Sequence, residues 1–386
     1  MTTSPSTILR RLTLAAAISA CGIAGSQAAE FQAGDWTIDV GGFINAYYTT
    51  VDCDDGAVGG LALGGQGLGC GGSDSRTTIG NGLLPNALVT KFSGNQAGYD
   101  IGGNISIMAH TATSSAIAPN SGVDVRQAFF TIGNQNIGTF KLGRDYGVFG
   151  SNAILTDMTL LGVGMPIQAT QRGRVSLGHI GAGYSYLGNY GQLAWSSAGT
   201  EGFGFTGALI SPVDNGAAHD AGAAPQVQAQ VSWNSDGFKA WVGGKTQKFE
   251  ATLPGQSDFT MRGVEAGVSA TVGAFSLLAN VQSGKGLGIL SDGDQEDTKS
   301  TNWLAQGSFA ATDKLKLGLN YGISRNKDET PVTAGLKSNA NATAGAYYKL
   351  TPSVTLAFEL AQTRSRGFNG ESARMNGASF GGIVFF

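Results

Sequence analysis

The segment Lys314–Ile323 reads KLKLGLNYGI, and its residues alternate between apolar and polar types. Successive side chains of a β-strand point to opposite faces of the sheet, so this period of two predicts a strand with one apolar and one polar face. The same alternation occurs in Trp36–Tyr48 (WTIDVGGFINAYY) and in Val354–Gln362 (VTLAFELAQ). Because it recurs from Trp36 to the last residue, it indicates an all-β protein.

The spacing of these segments predicts a closed transmembrane antiparallel β-barrel of about 16 strands. Short turns such as Asn234–Gly237 (NSDG) alternate with long polar loops, which is typical of outer-membrane barrels. An even number of strands lets a single chain close antiparallel, and closure leaves no free strand edge in lipid. The predicted strands are 36–50, 86–93, 99–110, 123–133, 138–145, 191–198, 203–211, 225–234, 237–249, 261–272, 274–283, 300–310, 314–325, 338–350, 353–364 and 373–386.

The composition differs from that of an ordinary soluble protein. Of 386 residues 61 are glycine and 13% are charged, whereas soluble domains carry roughly 25% charged residues. The mean hydropathy is close to zero, which excludes a disordered polar chain. No long apolar run follows the N-terminal region, so no transmembrane helix is expected.

The N-terminal region has the features of a secretory signal peptide. Arg10 and Arg11 form a short basic segment, Leu12–Ala20 is apolar but too short to span a bilayer, and Ser26–Ala28 offers small residues for cleavage. We therefore expect residues 1–28 to be a signal peptide and residues 29–386 to form the barrel. The alternative is a lipoprotein cleavage box at Ile18–Cys21, where Ile replaces the usual Leu.

The charge of the chain argues against nucleic acid as a partner. The formal net charge is −3, and loss of the two signal-peptide arginines makes it more negative by two. No strongly basic surface remains to bind nucleic acid. The acidic runs Asp52–Asp55 and Ser291–Asp297 lack the glycine and distal glutamate of a calcium loop, so no metal site and no cofactor are expected.

Two cysteines remain in the mature chain, Cys53 and Cys70, on either side of a glycine-rich segment. An even number of cysteines in an exported chain favours a disulfide that closes this loop. A metal site is the alternative, but no histidine lies nearby in the sequence.

The sequence contains little that indicates an enzyme. Its three histidines are His110, His179 and His219, and none lies in a recognisable nucleophile motif. A barrel plugged by its own loop, with a binding or adhesive role, is a further alternative. The polar positions of the strands are mainly Gly, Asn, Thr, Lys and Glu, which favours a water-filled lumen over an apolar plug.

The segment Val125–Met158 (VRQAFFTIGNQNIGTFKLGRDYGVFGSNAILTDM) resembles the general porins of Gram-negative bacteria. In that family an arginine opens a wall strand, here Arg126, and a hairpin return follows, here Gly138–Phe140. The next strand ends in a G-R-[ND]-Y-G-V motif, here Gly143–Val148, and T-D-M lies in the loop beyond, here Thr156–Met158. The C-terminal Phe386 also resembles the assembly signal of outer-membrane proteins.

The resemblance implies that the third loop, residues 145–190, folds into the barrel and narrows it. It places Arg126 on the lumen wall, Arg144 where its strand meets the loop, and Asp157 on the loop. Arg172 and Arg174 fall inside the same loop; they either join the lumen cluster or pair with acidic loops or lipopolysaccharide. Leu161 stands near the position where the family usually carries a second acid.

These features imply an outer-membrane porin through which small hydrophilic solutes and ions diffuse passively. One loop acid facing up to four arginines suggests a preference for anions, such as small carboxylates. The resemblance further implies a homotrimer with the first five strands at the interface, in contact with outer-membrane lipid and lipopolysaccharide. Strand alternation puts Arg126 and Ala128 on the lumen face, and Gln127 and Phe129 on the outer face.

Overall fold

The computed structural model describes residues 28–112, 123–167, 176–214 and 218–386. The predicted signal peptide therefore lies, up to residue 27, outside the described residues. All sixteen predicted strands are confirmed, with small shifts at their ends. Three further short strands occur. The strands are β1 Ala29–Ala33, β2 Trp36–Cys53, β3 Ser75–Gly80, β4 Asn86–Gln96, β5 Tyr99–Ala109, β6 Val123–Asn134, β7 Gly138–Tyr146, β8 Asn189–Ser196, β9 Gly202–Ile210, β10 His219–Ala221, β11 Gln226–Ser235, β12 Phe238–Ala251, β13 Phe259–Val272, β14 Phe275–Lys285, β15 Lys299–Ala310, β16 Leu315–Asn326, β17 Leu336–Lys349, β18 Val354–Gly367 and β19 Ser372–Phe385.

Neighbouring long strands pair antiparallel, and β19 pairs with β2, which closes the sheet into a barrel. β3 and β4 occupy one position of the wall, because both pair with β2. The short β1 continues the seam beyond the end of β19, where Gly42 and Phe386 exchange backbone hydrogen bonds of 2.8 and 3.0 Å. The barrel thus has sixteen wall positions, as predicted.

The outer and inner faces of the wall differ as the alternation predicts. On β2, Ile44 and Tyr48 are exposed on the outside, while Asn45 and Thr49 face inward and are buried. At one end the strands meet in tight turns, where Gly98 and Gly237 adopt φ values of +83° and +67° that disfavour other residues. Long loops lie at the opposite end.

The described residues contain two short α-helices, α1 (Gln66–Gly69) and α2 (Ser151–Thr156), and the 3-10 turns Met158–Leu161 and Pro331–Thr333. Among the described residues, no helix is long and apolar enough to cross a membrane. β3 and β10 escape prediction because β3 contains a single large apolar residue, Ile79, and β10 has only three residues.

Three loops fold into the lumen and meet there: the first loop (54–74), the described parts of the third loop (147–167 and 176–188) and the sixth loop (286–298). Leu63 of the first loop, Ile180 of the third and Ile289 of the sixth belong to one buried apolar cluster. A Cβ atom on Gly181 would lie 3.0 Å from side-chain carbons of both Leu63 and Ile289, which shows how closely the loops pack. The lumen on the long-loop side therefore contains a small hydrophobic core of its own.

Candidate functional site: the lumen and its third loop

The third loop is fixed at its start by two inward-facing wall residues. The backbone N–H groups of Val148 and Phe149 donate to Oε1 of Gln228, at 2.7 and 2.9 Å. The N–H of Gly150 donates to both carboxylate oxygens of Glu265, at 3.1 and 3.0 Å. Hydrogen bonds to charged groups are stronger than neutral ones, so β11 and β13 hold this end of the loop firmly.

The middle of the loop is fixed on the other side of the barrel. The N–H groups of Val163 and Gly164 donate to Oε2 of Glu359 on β18, at 2.7 and 2.8 Å. Gln306 on β15 accepts from the N–H of Met158 at 2.7 Å and donates to a neighbouring carbonyl. The loop thus spans the lumen between walls that lie far apart along the chain.

Asp157 differs from the expectation that it lines the lumen, because it is 2% exposed and lies between the loop and β16. Four hydrogen atoms are directed at its carboxylate: the N–H and hydroxyl of Thr159 (2.9 and 2.8 Å), the hydroxyl of Tyr184 (2.8 Å) and the amide of Asn320 (3.2 Å). Nδ1 of His179 lies 3.2 Å from its Oδ2. Asp157 therefore anchors the loop, and it does not present a free charge to solutes.

Burial and the polar contacts of Asp157 have opposite effects on the pKa of its carboxyl group. Burial by itself would raise the pKa of Asp157, but His179 and the hydrogen bonds from Thr159 and Tyr184 outweigh it. The pKa of Asp157 is therefore lower than its ordinary value, and the carboxylate stays ionised in the folded protein.

Arg126 lies on the inner side of the barrel wall, and the orientations of its neighbours differ from the prediction. A β-bulge interrupts the pairing of β5 with β6: Ser106 pairs with Gln127, and Ile107 pairs with Val125. The extra residue in the bulge turns Arg126 and Gln127 to the same side. Arg126 is 7% exposed.

Two contacts hold the guanidinium of Arg126. Its Nε lies 3.0 Å from Oδ2 of Asp124, and its Nη2 lies 3.4 Å from Nε2 of His110. The predicted outward orientation of Gln127 is wrong, because its amide is buried and donates to Asp145 at 2.9 Å. Phe129 also faces inward, where the ammonium of Lys141 lies 5.4 Å from its ring centre.

Arg144 does not lie in the lumen. It is exposed and shares the outer face of β7 with Phe140 and Leu142, which are 42% and 47% exposed. These three residues occupy every second position of the strand. Its neighbours across the sheet, Ala128 and Gly191, are on that same face. The physical reason is the period of two, because Lys141 and Asp145 take the inward positions of this strand and pair with each other.

The remaining predicted site residues are two loop arginines, the two cysteines and the C-terminal phenylalanine. Arg172 and Arg174 lie outside the described residues, so their place in the lumen stays a prediction. Cys53 and Cys70 form a disulfide that ties the first loop to the end of β2. Phe386 lies directly beyond β19 and pairs with Gly42 at the seam.

The predicted pore residues did not include any lysine, although lysine was predicted among the polar, inward positions of the strands. Lys239 on β12 is half-buried, and its Nζ donates to Oδ1 of Asn152 on the third loop. Lys91, Lys316 and Lys349 also occupy inward positions of their strands. The alternation contains this information, because each lysine lies between residues assigned to the outer face.

Comparison with known proteins identifies the family. The model of the Gram-negative porin family matches residues 13–367. A search of the curated proteins finds no match. The structure of the outer membrane channel DcaP of Acinetobacter baumannii is similar to this chain with a TM-score of 0.70 and 15% identity, covering 93% of this chain and 100% of that one.

Two further structures share the fold at low sequence identity. The anion-selective porin from Comamonas acidovorans has a TM-score of 0.64 and 15% identity, covering 91% of this chain and 100% of that one. The trimer form of OmpT, an outer membrane protein of Vibrio cholerae, has a TM-score of 0.55 and 14% identity, with 90% and 99% covered. The family match spans nearly the whole chain and agrees with the closed barrel and its in-folded loop, so this chain belongs to the Gram-negative porin family and is a diffusion channel of the outer membrane.

Proposed function

We propose that this porin passes small hydrophilic solutes with a preference for anions, carboxylates among them. The carboxylates at mid-height of the wall are already committed to protein groups. Glu265 and Glu359 accept backbone N–H groups of the third loop, and Asp145 is held by Lys141 and Gln127. A carboxylate in such contacts offers little to a passing cation.

Lys239 carries the proposal. It faces the lumen beside the third loop and, among the described residues, has no carboxylate within 4.0 Å of its ammonium. Inward-facing Lys91, Lys316 and Lys349 lie towards the short-turn end, where Glu30, Asp39 and Asp100 also occupy inward positions. A positive charge in a narrow, poorly screened passage raises the local concentration of anions.

The reversal potential under a salt gradient tests this preference. Purified protein is placed in a planar bilayer with potassium chloride at different concentrations on the two sides, and the voltage at zero current is measured. A sign that corresponds to chloride selectivity supports the proposal. A cation-selective sign would refute it, and Lys239→Gln should shift the potential towards cations by comparison with wild type.

A constricting role of the third loop is part of this proposal. Its fixation to both sides of the wall, by Glu265 and Glu359, supports a loop that narrows the lumen permanently. Among the arginines of the described residues, we place Arg126 beside the passage. Arg172 and Arg174 remain predicted members of the same cluster, with pairing to acidic loops or lipopolysaccharide as the alternative.

We further propose that the protein assembles as a homotrimer through the outer face of its first five wall positions, β2 to β7. This face presents exposed Ile44, Leu88, Ile105 and Phe130. The trimer form described for OmpT of Vibrio cholerae supports the assembly by fold alone. The mass of the detergent-solubilised, unheated protein should equal three chains, and a monomer mass would contradict this proposal.

We propose no catalytic function. A second candidate is a barrel closed by its own loops, with a binding role, and the apolar cluster of Leu63, Ile180 and Ile289 inside the lumen favours it. Single-channel recording separates the two functions. Stepwise currents support diffusion, whereas a folded barrel without conductance would support the plugged form.

A further inference from the structure

The third loop presents no charged side chain to the lumen in its described parts, 147–167 and 176–188. These parts contain no lysine or arginine, and their acid, Asp157, is 2% exposed. The partly exposed side chains of the described loop are Ser151, Leu155, Thr156, Leu161 and Tyr186. Three of these five side chains are apolar or aromatic, so the loop side of the passage is uncharged and partly apolar.

Backbone contacts hold Leu161 beside the wall. The hydroxyl of Tyr47 donates to the carbonyl of Leu161 at 2.6 Å. The N–H of Leu83 donates to the carbonyl of Gly162 at 3.0 Å, which brings Leu84 next to Leu161. Leu84 and Leu161 are both partly exposed and pack against the same buried cluster.

Two tyrosines extend this surface. The hydroxyl of Tyr146 lies 3.8 Å from Sδ of Met108, which belongs to the cluster beneath Leu84 and Leu161. The hydroxyl of Tyr186 accepts from the amide of Asn189 at 3.0 Å. Both tyrosines are partly exposed. We call the following four residues the apolar lip: Leu84, Tyr146, Leu161 and Tyr186.

Arg126 lies beside the apolar lip. Met108 is the register partner of Asp124, and Oδ2 of Asp124 lies 3.0 Å from Nε of Arg126. The hydroxyls of Tyr146 and Tyr186 are close enough to the guanidinium of Arg126 to interact with it electrostatically. A permanent positive charge and an apolar surface therefore meet at one place in the lumen.

The contacts of Arg126 leave part of its guanidinium for a ligand. Asp124 contacts Nε, and His110 lies 3.4 Å from Nη2. Among the described residues, Nη1 has no hydrogen-bond partner. Since a guanidinium carries five N–H groups, it can donate to a further carboxylate while it keeps Asp124.

We propose that the passage favours carboxylates that carry an apolar ring. The carboxylate binds the guanidinium of Arg126, and the ring packs against the apolar lip, where the tyrosine rings suit aromatic solutes. A carboxylate with hydroxyl groups on its ring has the same charge, but those hydroxyls lose hydrogen bonds to water against an apolar surface. The inference rests on the proposed anion preference and names the class of anion.

Block of the chloride current tests this class. Single channels are recorded in potassium chloride at pH 8, where carboxylates are ionised. Benzoate, cyclohexanecarboxylate or quinate is added, and the concentration that halves the current is measured. Quinate has the ring and charge of cyclohexanecarboxylate with four added hydroxyls, and benzyl alcohol serves as the uncharged ring.

We expect benzoate and cyclohexanecarboxylate to halve the current at about a tenfold lower concentration than quinate. Tenfold corresponds to about 1.4 kcal/mol, which burial of about 55 Å² of apolar surface supplies. Equal blocking concentrations for the three anions would overturn the proposal. Block by benzyl alcohol at the concentration of benzoate would also overturn it, because Arg126 would then contribute nothing.

Three variants locate the effect. Leu161→Asn should reduce the tenfold ratio to about threefold or less, whereas Leu161→Met keeps an apolar side chain and should retain it. Leu290→Asn makes the same polar exchange on the sixth loop, where Leu290 packs against the cluster of Leu63 and Ile289. It should retain the tenfold ratio. An unchanged ratio in Leu161→Asn, or an equal loss in Leu290→Asn, would overturn the role of the apolar lip.

The reversal potential in potassium chloride separates this proposal from the one on which it rests. A chloride-selective channel that does not distinguish cyclohexanecarboxylate from quinate refutes the ring preference and leaves the anion preference intact. A cation-selective channel refutes both.

Discussion

Glu359 on the barrel wall and Gly162 on the third loop approach so closely that a Cβ atom at residue 162 would lie 2.1 Å from Oε1 of Glu359. The same carboxylate accepts the N–H groups of Val163 and Gly164. Glycine at position 162 therefore leaves the space that the carboxylate of Glu359 occupies. Without that space the wall could not hold the loop through these hydrogen bonds.

The first prediction is that Gly162→Ala displaces Glu359 and loosens the third loop. The free energy of unfolding should fall by about 1–3 kcal/mol, because a buried carboxylate loses its donors. Denaturant unfolding in detergent measures the loss, and single-channel traces should show more frequent closures. Gly67→Ala is the control, since no atom lies within 4 Å of a Cβ at that glycine; equal effects of both changes would contradict the packing described here.

The second prediction concerns acid. Because the pKa of Asp157 in the folded protein is below its ordinary value of 3.8, its ionised form stabilises the loop. That stabilisation is complete above about pH 3.8 and is lost as the pH falls through the lower pKa of the folded state. Hydrogen exchange of the third-loop amides, corrected for intrinsic rates, should accelerate on acidification below that pH.

Asp157→Asn provides the matched variant for this measurement. It should show faster third-loop exchange already at pH 5 and a weaker response to acid, because an amide accepts fewer hydrogen bonds than the carboxylate and does not titrate. Asp236→Asn, on an exposed turn, should behave as wild type. An acid response that is unchanged in Asp157→Asn would show that another group controls the loop.

The third prediction concerns the disulfide. Cys53→Ser with Cys70→Ser should lower the free energy of unfolding by about 3 kcal/mol, the entropy expected for a closed loop of this size. Without the disulfide, the first loop is held mainly by the hydrogen bonds from its backbone N–H groups to Asn339 and Ser365. We expect these bonds to be too weak to keep Leu63 in the apolar cluster. Thermal unfolding of wild type with and without reductant checks this result, and a conductance that stays unchanged on reduction would show that the first loop does not limit the current.

The fourth prediction compares two arginines that look equivalent in the sequence. Arg126→Gln should shift the reversal potential towards cation selectivity, because its guanidinium lies on the lumen side of the bulge. Arg144→Gln removes the same charge from the outer face and should leave the potential unchanged. Equal shifts in the two variants would show that the opposite orientations of these side chains do not control selectivity.

The strands could be predicted from the sequence because alternation is a local property of each segment. The orientation of Gln127 could not, since a single extra residue in a bulge moves every following side chain to the other face. The bulge itself is set by pairing with Ser106 on another strand. A pattern read along β6 alone contains no sign of it.

The candidate site was predictable only in part for a related reason. Asp157 is a loop acid in the sequence, and its burial depends on Asn320 and Tyr184, which approach it only in the folded barrel. The outward orientation of Arg144 follows from the alternation along β7. The family motif predicts an arginine at this position but does not predict which face of the strand it occupies. The alternation did predict lysines at inward positions, but it contains no information on which of them, such as Lys239, lies beside the third loop.

The seam between β2 and β19 has a consequence for how the molecule is made. Its two edges belong to the first and the last long strand, so their contact has the largest chain separation in the barrel. Such distant contacts form slowly, because the entropy of the intervening chain must be lost first. Until the hydrogen bonds of Gly42 and Phe386 form, two unpaired strand edges are open to other chains. Pairing of β19 with β2 is therefore the final step of folding. The chain needs protection against aggregation until that step is complete.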